Sequence, residues 1–488
     1  MLTGICAFAA IVRFADLTGT SLWMDDGYTI RIVVTERDNF LRPILADVHP
    51  PLYFLFLLGW TEVFGTGEWA LRSFGAFLGL LTVPVMFAIG RLLGGANVGL
   101  TAALLLAASP LHVQYGAEVR MYGLLVLGAA VAIWGALRFA QEPGNARAAC
   151  WGAVAYAFGA IVCAATQVTG LLALPGLSLL MILGWWRAGR PAAGFRAAFW
   201  AHLIIGAFLL AYTPLLRLFM ENMNNLFLPW IPPPSPRVVA EVAGALLAQK
   251  LAGAVSLPVA AMAAAVLGSI ALWGAWGLRR DALGLGFALL VGALPFALSI
   301  GLSLAVQPIF LLRVHIWAML PLYALAAHAI AKRWSSGAGA KEAAPIALRA
   351  GFAAAFAVAS AVGLHDYYTE PSRPDWRGLA AALREGLQPG DAVVAPPLTG
   401  SEPLLAYYAP NVTGTVRMAP ASTDDLTRLA EEASLAPRVW FVSARWHDRV
   451  PPAAVGDALG QAGLRPAGPP REFRLLALQL WDRPESGG

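Results

Sequence analysis

Two short stretches carry the groups best suited to chemistry. "SLWMDDGYT", residues 21–29, holds the adjacent carboxylates Asp25 and Asp26, and "ILADVHPPLYFLF", residues 44–56, sets Asp47 and His49 directly before a strongly apolar run. Carboxylates beside a bilayer are costly and usually serve a function. Two neighbouring ones in a partly dry cleft repel each other, which suits one of them to take a proton from an attacking hydroxyl. Asp47 and His49 are suited to positioning an acceptor or a donor. Arg72, Arg120 and Arg313 are candidates for holding a phosphate, because a guanidinium fork matches phosphate oxygens. Glu118 and His112 stand beside Arg120 in the same short turn.

Each group also has an ordinary reading. Asp25 and Asp26 fit a solvated loop and helix N-cap, and Asp47–His49 fits a turn ahead of a helix that starts on proline. Arg72 and Arg120 fit cations whose heads reach the lipid headgroups. Glu118 and Arg120 fit a local ion pair, His112 fits an interfacial histidine, and Arg13 with Asp16 fits an i,i+3 pair. Trp446 and His447 read as surface or core residues of a soluble region.

The elements that must position these groups are dictated by composition. Of 488 residues, 58% are hydrophobic and only 13% charged, with a mean hydropathy of +0.64. A soluble domain carries about one quarter charged residues. The chain therefore reads as a polytopic α-helical membrane protein. Its net charge of +5 lies in short loops between apolar runs, so nucleic acid is not an expected partner. Cys6, Cys150 and Cys163 all fall in apolar runs and suggest no disulfide framework. The first apolar run has no basic stretch ahead of it and no small-residue cleavage site after it, so it reads as a retained span.

Windows of roughly 20 residues suggest about 11 transmembrane helices. They lie near 2–20, 69–90, 97–114, 119–139, 148–166, 168–187, 197–216, 254–277, 283–305, 310–331 and 346–364. Basic residues such as Arg91, Arg138, Arg147, Arg187, Arg279, Arg333 and Lys341 mark alternate loops as cytoplasmic. The run 52–64 is then too short to span and reads as an interfacial or re-entrant helix. Trp230, in the proline-rich loop 227–236, reads as an interfacial anchor, and 334–345 as a polar linker. This parity sends every candidate group to one outer face: Asp25 and Asp26 after the first span, Asp47 and His49 before the short helix, Arg72 opening the second span, and His112, Glu118 and Arg120 in the next outer turn. Arg313 opens the tenth span.

After residue 364 the composition changes. A helix, a turn at Pro389–Gly390 and strands at 391–396, 438–444 and 473–481 suggest a soluble α/β domain. The expected division is thus a membrane domain at 1–364, with a large first outer loop at 21–68 bearing interfacial helices, and an outer-face domain at 365–488. No singled-out acid lies beyond residue 364, so that domain is expected to be dispensable for the chemical step.

"WMDD" at 23–26, "DVHPPL" at 47–52 and "ALRSFGAFLGLLTVP" at 70–84 resemble the first third of the protein O-mannosyltransferases, and the turn "SPLHVQYGAEVRMY" at 109–122 resembles that of bacterial members of the same broad group. These belong to glycosyltransferase family C, membrane enzymes that use polyprenyl-phosphate sugars. The bacterial transferases that place aminoarabinose on lipid A are a more distant likeness. The resemblance covers residues 10–140 well and the later spans by layout. It implies a catalytic acid at Asp25, with Asp26 standing where the family usually has Glu, which shortens that carboxylate's reach. It also implies that Asp47 and His49 form the second acidic motif and that Arg72 is functionally important. No sugar-binding repeat domain is visible, so a protein acceptor is not implied.

The expected activity is transfer of a monosaccharide, hexose or pentose, from a polyprenyl-phosphate donor to a hydroxyl on a lipid, polysaccharide or protein. Transfer would occur outside the cytoplasmic membrane, with inversion. Arg72 and Arg120 would stabilise the departing phosphate. A divalent cation held by Asp25, Glu118 or His112 is a candidate cofactor, although no ligand spacing demands one. The rival readings are a transporter or flippase of lipid-linked sugars and a non-enzymatic membrane sensor. Transporters place polar groups near the midplane on broken helices, whereas the groups here gather at one rim.

Overall fold

The computed structural model describes residues 1–225, 231–248, 256–332, 346–369, 373–395, 400–410, 412, 416–418, 426–444 and 450–484. Trp230, the linker 334–345, Arg333, Lys341, Trp446 and His447 lie outside the described residues. The helices in chain order are α1 (Leu2–Phe14), α2 (Met24–Ile30), α3 (Leu41–Ala46), α4 (Leu52–Phe64), α5 (Glu68–Gly94), α6 (Ala96–Ala107), α7 (Pro110–Gly116), α8 (Tyr122–Gln141), α9 (Ala146–Thr166), α10 (Leu174–Arg187), α11 (Ala192–Asn225), α12 (Pro236–Leu247), α13 (Leu257–Leu278), α14 (Ala282–Gly286), α15 (Leu294–Ala305), α16 (Met319–Ala331), α17 (Ile346–Thr369), α18 (Trp376–Gly386), α19 (Ser401–Tyr408), α20 (Leu426–Ala433) and α21 (Pro452–Gln461).

The chain divides into two compact units. The first comprises Met1–Leu17, Ile44–Val63 and Ala70–Glu370, and the second Thr18–Pro43, Phe64–Trp69 and Pro371–Gly488. The loop 21–68 is thus shared between them, and 18–43 folds with the C-terminal chain. A single cut at 364/365 does not describe this division.

In the first unit the long apolar segments are helical, as lipid requires of any backbone it surrounds. Among the described residues eight helices are long and apolar enough to cross a membrane, and nine if the bent pair α6–α7 is one span. The first and tenth expected spans fall on shorter apolar helices, Leu2–Phe14 and Ile316–Ala331, and α4 belongs with them. The chain is a multi-pass membrane protein. Helices α8 and α9 lie backbone to backbone: a Cβ on Gly135 would sit 2.4 Å from the Tyr156 nitrogen, so only glycine fits there.

The α6–α7 break, a 57° bend, has a local cause and a distant remedy. Ser109 caps α7 by accepting the His112 N–H at 3.3 Å, with Pro110 in the first turn. The carbonyls freed at the end of α6 need donors. Arg13 supplies them, donating to Leu106 O and Ala107 O at 3.0 Å each while its Nη2 meets His112 Nδ1 at 2.7 Å. The expected Arg13–Asp16 pair is therefore corrected: Arg13 is buried on this break, and Asp16 is exposed.

The second unit contains a six-stranded sheet: β1 (Ala392–Ala395), β2 (Val416–Met418), β3 (Arg438–Ala444), β4 (Arg465–Pro466), β5 (Arg471–Phe473) and β6 (Leu476–Asp482). The order is β2-β1-β3-β6-β4, with β5 also on β6; β1 runs parallel to β2 and β3, and β6 is antiparallel to β3. The α/β expectation holds: strands stand at 392–395 and 438–444, and the expected strand 473–481 divides into the end of β5 and most of β6. α18 begins where the Asp375 side chain accepts the Gly378 N–H at 2.9 Å. It buries Trp376, Leu379, Ala380 and Leu383 along one face, so Leu383→Ala would cost about 2–5 kcal/mol. The Asp391 carboxylate anchors the sheet by accepting from Arg438 at 2.9 and 2.6 Å and from Trp440 Nε1 at 3.0 Å.

Candidate active site

In the first unit, the turn between α3 and α4 places Asp47 and His49. Asp47 Oδ1 accepts the His49 backbone N–H at 2.9 Å and lies 2.8 Å from His49 Nδ1. Asn222, near the end of α11, donates to the carbonyls of Leu45 and Asp47 at 2.8 Å each and so ties the turn down. Arg120, in the turn between α7 and α8, brings Nη2 to 3.2 Å from the same His49 nitrogen. A proton on Nδ1 is donated to Asp47.

The electrostatics follow from this packing. Burial works against the Asp47 carboxylate, but the hydrogen bonds from His49 and the charge of Arg120 outweigh it and hold the carboxyl below its usual range. Burial and then the Arg120 charge hold the His49 imidazole below its ordinary value, against the pull of Asp47; Arg313 pushes the same way as Arg120. Asp47 is thus ionised and His49 neutral near neutral pH. Two guanidiniums, Arg120 and Arg313, thus act on His49.

The remaining predicted residues of this unit are all placed. Arg72 is buried within α5, and its Nη1 donates to Leu17 O at 2.6 Å, so part of its donor set serves the chain just beyond α1. Glu118 is buried in the turn that carries Arg120. His112 is drawn to Arg13. Arg313 sits in a 3-10 turn, Leu312–Val314, and is half-buried. The structure brings Asp47, His49 and Arg120 together, with the Arg313 charge acting on His49, and gives His112 a separate partner.

Asp25 and Asp26 are carried by the second unit, on the first turn of α2. Asp25 is half-buried, whereas Asp26 is fully buried. Asp26 Oδ2 accepts the Trp23 N–H at 3.1 Å and lies 3.7 Å from Arg373 Nη1. Tyr408 of α19 accepts the Leu22 N–H at 2.7 Å, and Ser21 donates to Pro374 O at 2.7 Å and accepts the Trp376 N–H at 3.1 Å. A Cβ on Gly27 would lie 2.3 Å from Gly400 O, so α2 and the start of α19 touch through bare backbone. Arg373, Tyr408 and Gly400 were not singled out in the sequence. Nothing in their local pattern marks them, because their significance lies in a partner hundreds of residues away.

Among the described residues no group of three or more His, Cys, Asp or Glu side chains is arranged to hold a metal ion.

A family profile described as Dolichyl-phosphate-mannose-protein mannosyltransferase matches residues 48–216. The fold is shared over almost the whole chain with ArnT from Cupriavidus metallidurans in the apo state, at 16% identity and a TM-score of 0.62, covering 98% of this chain and 97% of that one. The same protein bound to undecaprenyl phosphate matches at 16% identity and 0.58, with the same coverage. The archaeal oligosaccharyltransferase AglB from Archaeoglobus fulgidus, in complex with an inhibitory peptide and a dolichol-phosphate, matches at 12% identity and 0.54, covering 93% of this chain and 71% of that one. No curated protein sequence matches. The fold is that of the glycosyltransferase family C membrane enzymes, the class that the sequence motifs resemble.

Proposed function

We propose that this chain is a membrane glycosyltransferase that moves a monosaccharide from a polyprenyl-phosphate donor to a hydroxyl acceptor. The reaction occurs on the outer face of the cytoplasmic membrane and inverts the anomeric centre. The observation that carries this reading is the part-buried Asp47–His49–Arg120 contact on which the Arg313 charge also acts. A site with two guanidiniums in a membrane unit suits the phosphate of a lipid carrier. The ArnT relative bound to undecaprenyl phosphate supports that choice, and the alternation of basic loops supports the outer face.

Asp25, the more accessible of the two acids, is the general base. It takes the proton of the acceptor hydroxyl as that oxygen bonds to the anomeric carbon from the side opposite the phosphate. The bond from the anomeric carbon to the phosphate oxygen breaks, and its electron pair leaves on the polyprenyl phosphate. Arg120 and Arg313 stabilise the charge that gathers there. Asp26 orients α2 rather than reacting, and Arg72 holds the chain beyond α1. The acceptor is a lipid, a cell-envelope polysaccharide or a protein hydroxyl.

The test is reconstitution of the purified protein with radiolabelled polyprenyl-phosphate monosaccharides. Loss of lipid-linked label by transfer or slow hydrolysis supports the enzyme. Label translocated intact across the vesicle would replace this reading with a transporter.

A further inference from the structure

The outer end of α9 breaks abruptly. Gln167 is extended, and the chain continues at once into a 3-10 turn, Val168–Ala173, before α10. This junction is buried: Thr166 is 0% exposed and Gln167 7%. Yet Thr166 Oγ1, Gln167 Oε1 and Thr169 Oγ1 have no hydrogen-bond partner among the described residues. The turn packs against α15. The buried face of α15 carries Pro295, Ser299 and Ser303 at helical spacing, and the Ser299 hydroxyl also lacks a partner. Phe296, on the same helix, stacks on the fully buried His315 at 5.3 Å between ring centres. His315 Nδ1 is used by Leu311 O at 2.9 Å, while Nε2 has no partner.

Five buried polar atoms left unsatisfied on adjoining elements of one unit are costly. Groups of this kind persist where something absent from the protein completes them. All five belong to neutral hydroxyl, amide and imidazole groups, able between them to donate and to accept. That chemistry suits a polyhydroxylated ring and not an anion. His315 also follows two residues after Arg313, whose charge acts at the proposed phosphate cluster. In a glycosyl phosphate lipid the sugar ring is joined directly to the phosphate.

We propose that Thr166, Gln167, Thr169, Ser299 and His315 form the subsite for the sugar ring of the lipid-linked donor, reading its hydroxyls, while the arginine cluster reads the phosphate. This deepens the proposed function and rests on it.

The experiment compares equilibrium binding of bare undecaprenyl phosphate with that of undecaprenyl phosphates bearing a hexose, a pentose or an aminopentose. The proteins are the full-length wild type, Gln167→Leu, Thr169→Val, Ser299→Ala and the Gln167→Leu/Ser299→Ala double variant. Wild type should prefer at least one sugar-bearing lipid to the bare carrier. Each single variant should weaken that lipid by roughly three- to tenfold, the worth of a hydrogen bond, and the double variant by more. Bare carrier should bind every protein within about twofold. Unliganded thermal stability should hold or rise, because the deleted groups have no partner in the protein. Equal changes for bare and sugar-bearing lipid, no change for either, no sugar preference in a wild type that binds the bare carrier, or a loss of unliganded stability would each overturn the subsite. The first three leave the glycosyltransferase reading standing. A wild type that binds none of these lipids defeats that reading, and the subsite falls with it.

Discussion

Arg373 Nη1 lies 3.7 Å from the carboxylate of Asp26, joining the chain that follows the last membrane helix to the helix that bears the paired aspartates. Asp26 is fully buried and Arg373 nearly so, so the pair is poorly screened by solvent. Tyr408 and Ser21 reinforce the same junction. The C-terminal chain is therefore part of what positions Asp25, and its expected dispensability for the chemical step does not follow from the absence of acids beyond residue 364.

The two aspartates should separate kinetically. Asp25→Asn should lower turnover by roughly 10²–10⁴-fold, the usual loss of a general base, with donor affinity nearly intact. Asp26→Asn and Arg373→Ala should each cost about 1–3 kcal/mol of stability and a smaller part of the rate. Combined, they should cost less than the sum of the two, because either one breaks the same pair. Initial rates, donor affinity and melting of the four proteins check this. Near-normal turnover in Asp25→Asn would remove Asp25 as the base.

Gly27→Ala should disturb activity without touching a charged group. Its Cβ would stand 2.3 Å from the Gly400 carbonyl oxygen, so α2 must move, and positioning errors of about 1 Å cost on the order of 10²-fold in rate. The measurement is turnover alongside donor binding. Unchanged turnover in a folded variant would show that the seat of α2 does not matter.

Arg120→Ala should weaken binding of bare undecaprenyl phosphate by roughly tenfold or more, a charge-assisted hydrogen bond being worth about 1.5–3 kcal/mol. Arg120→Lys should restore only part of it, because a point charge cannot reproduce the fork. A competition assay against labelled carrier reads both. Equal loss of carrier binding in Asp25→Asn would contradict this division of labour.

The pH dependence has a definite sign. The folded-state value of His49 lies below its unfolded value of about 6.5, so between the two the unfolded chain binds the extra proton. The contribution of neutral His49 is complete above about pH 6.5 and is lost progressively as pH falls from there toward the lower folded-state value. Asp47, also lowered, holds its contribution until pH falls below its unfolded value of about 3.9. Melting in detergent should drop as pH falls below about 6.5, and His49→Gln should flatten part of that drop. An identical slope in the variant would place the titrating group elsewhere.

The apolar helices were legible in the sequence because hydropathy is a property of consecutive residues, and lipid leaves such a run little choice but helix. The strands at 392–395 and 438–444 were legible for a similar reason, as short β-branched and aromatic runs between turn residues. "WMDD" and "DVHPPL" stood out as candidates by residue type alone. What tertiary structure decided was partnership. Arg13 reads as a helix-surface neighbour of Asp16 until α6 breaks and leaves carbonyls that need a donor. Arg373 is an ordinary charge in "RPDW" until the chain returns to Asp26, and Gln167 an ordinary polar residue until its turn is buried with its amide oxygen unpaired among the described residues. Such contacts depend on which distant surfaces meet, and that is settled by packing of the whole chain against its loop-closure entropy, a balance that no local window of sequence contains.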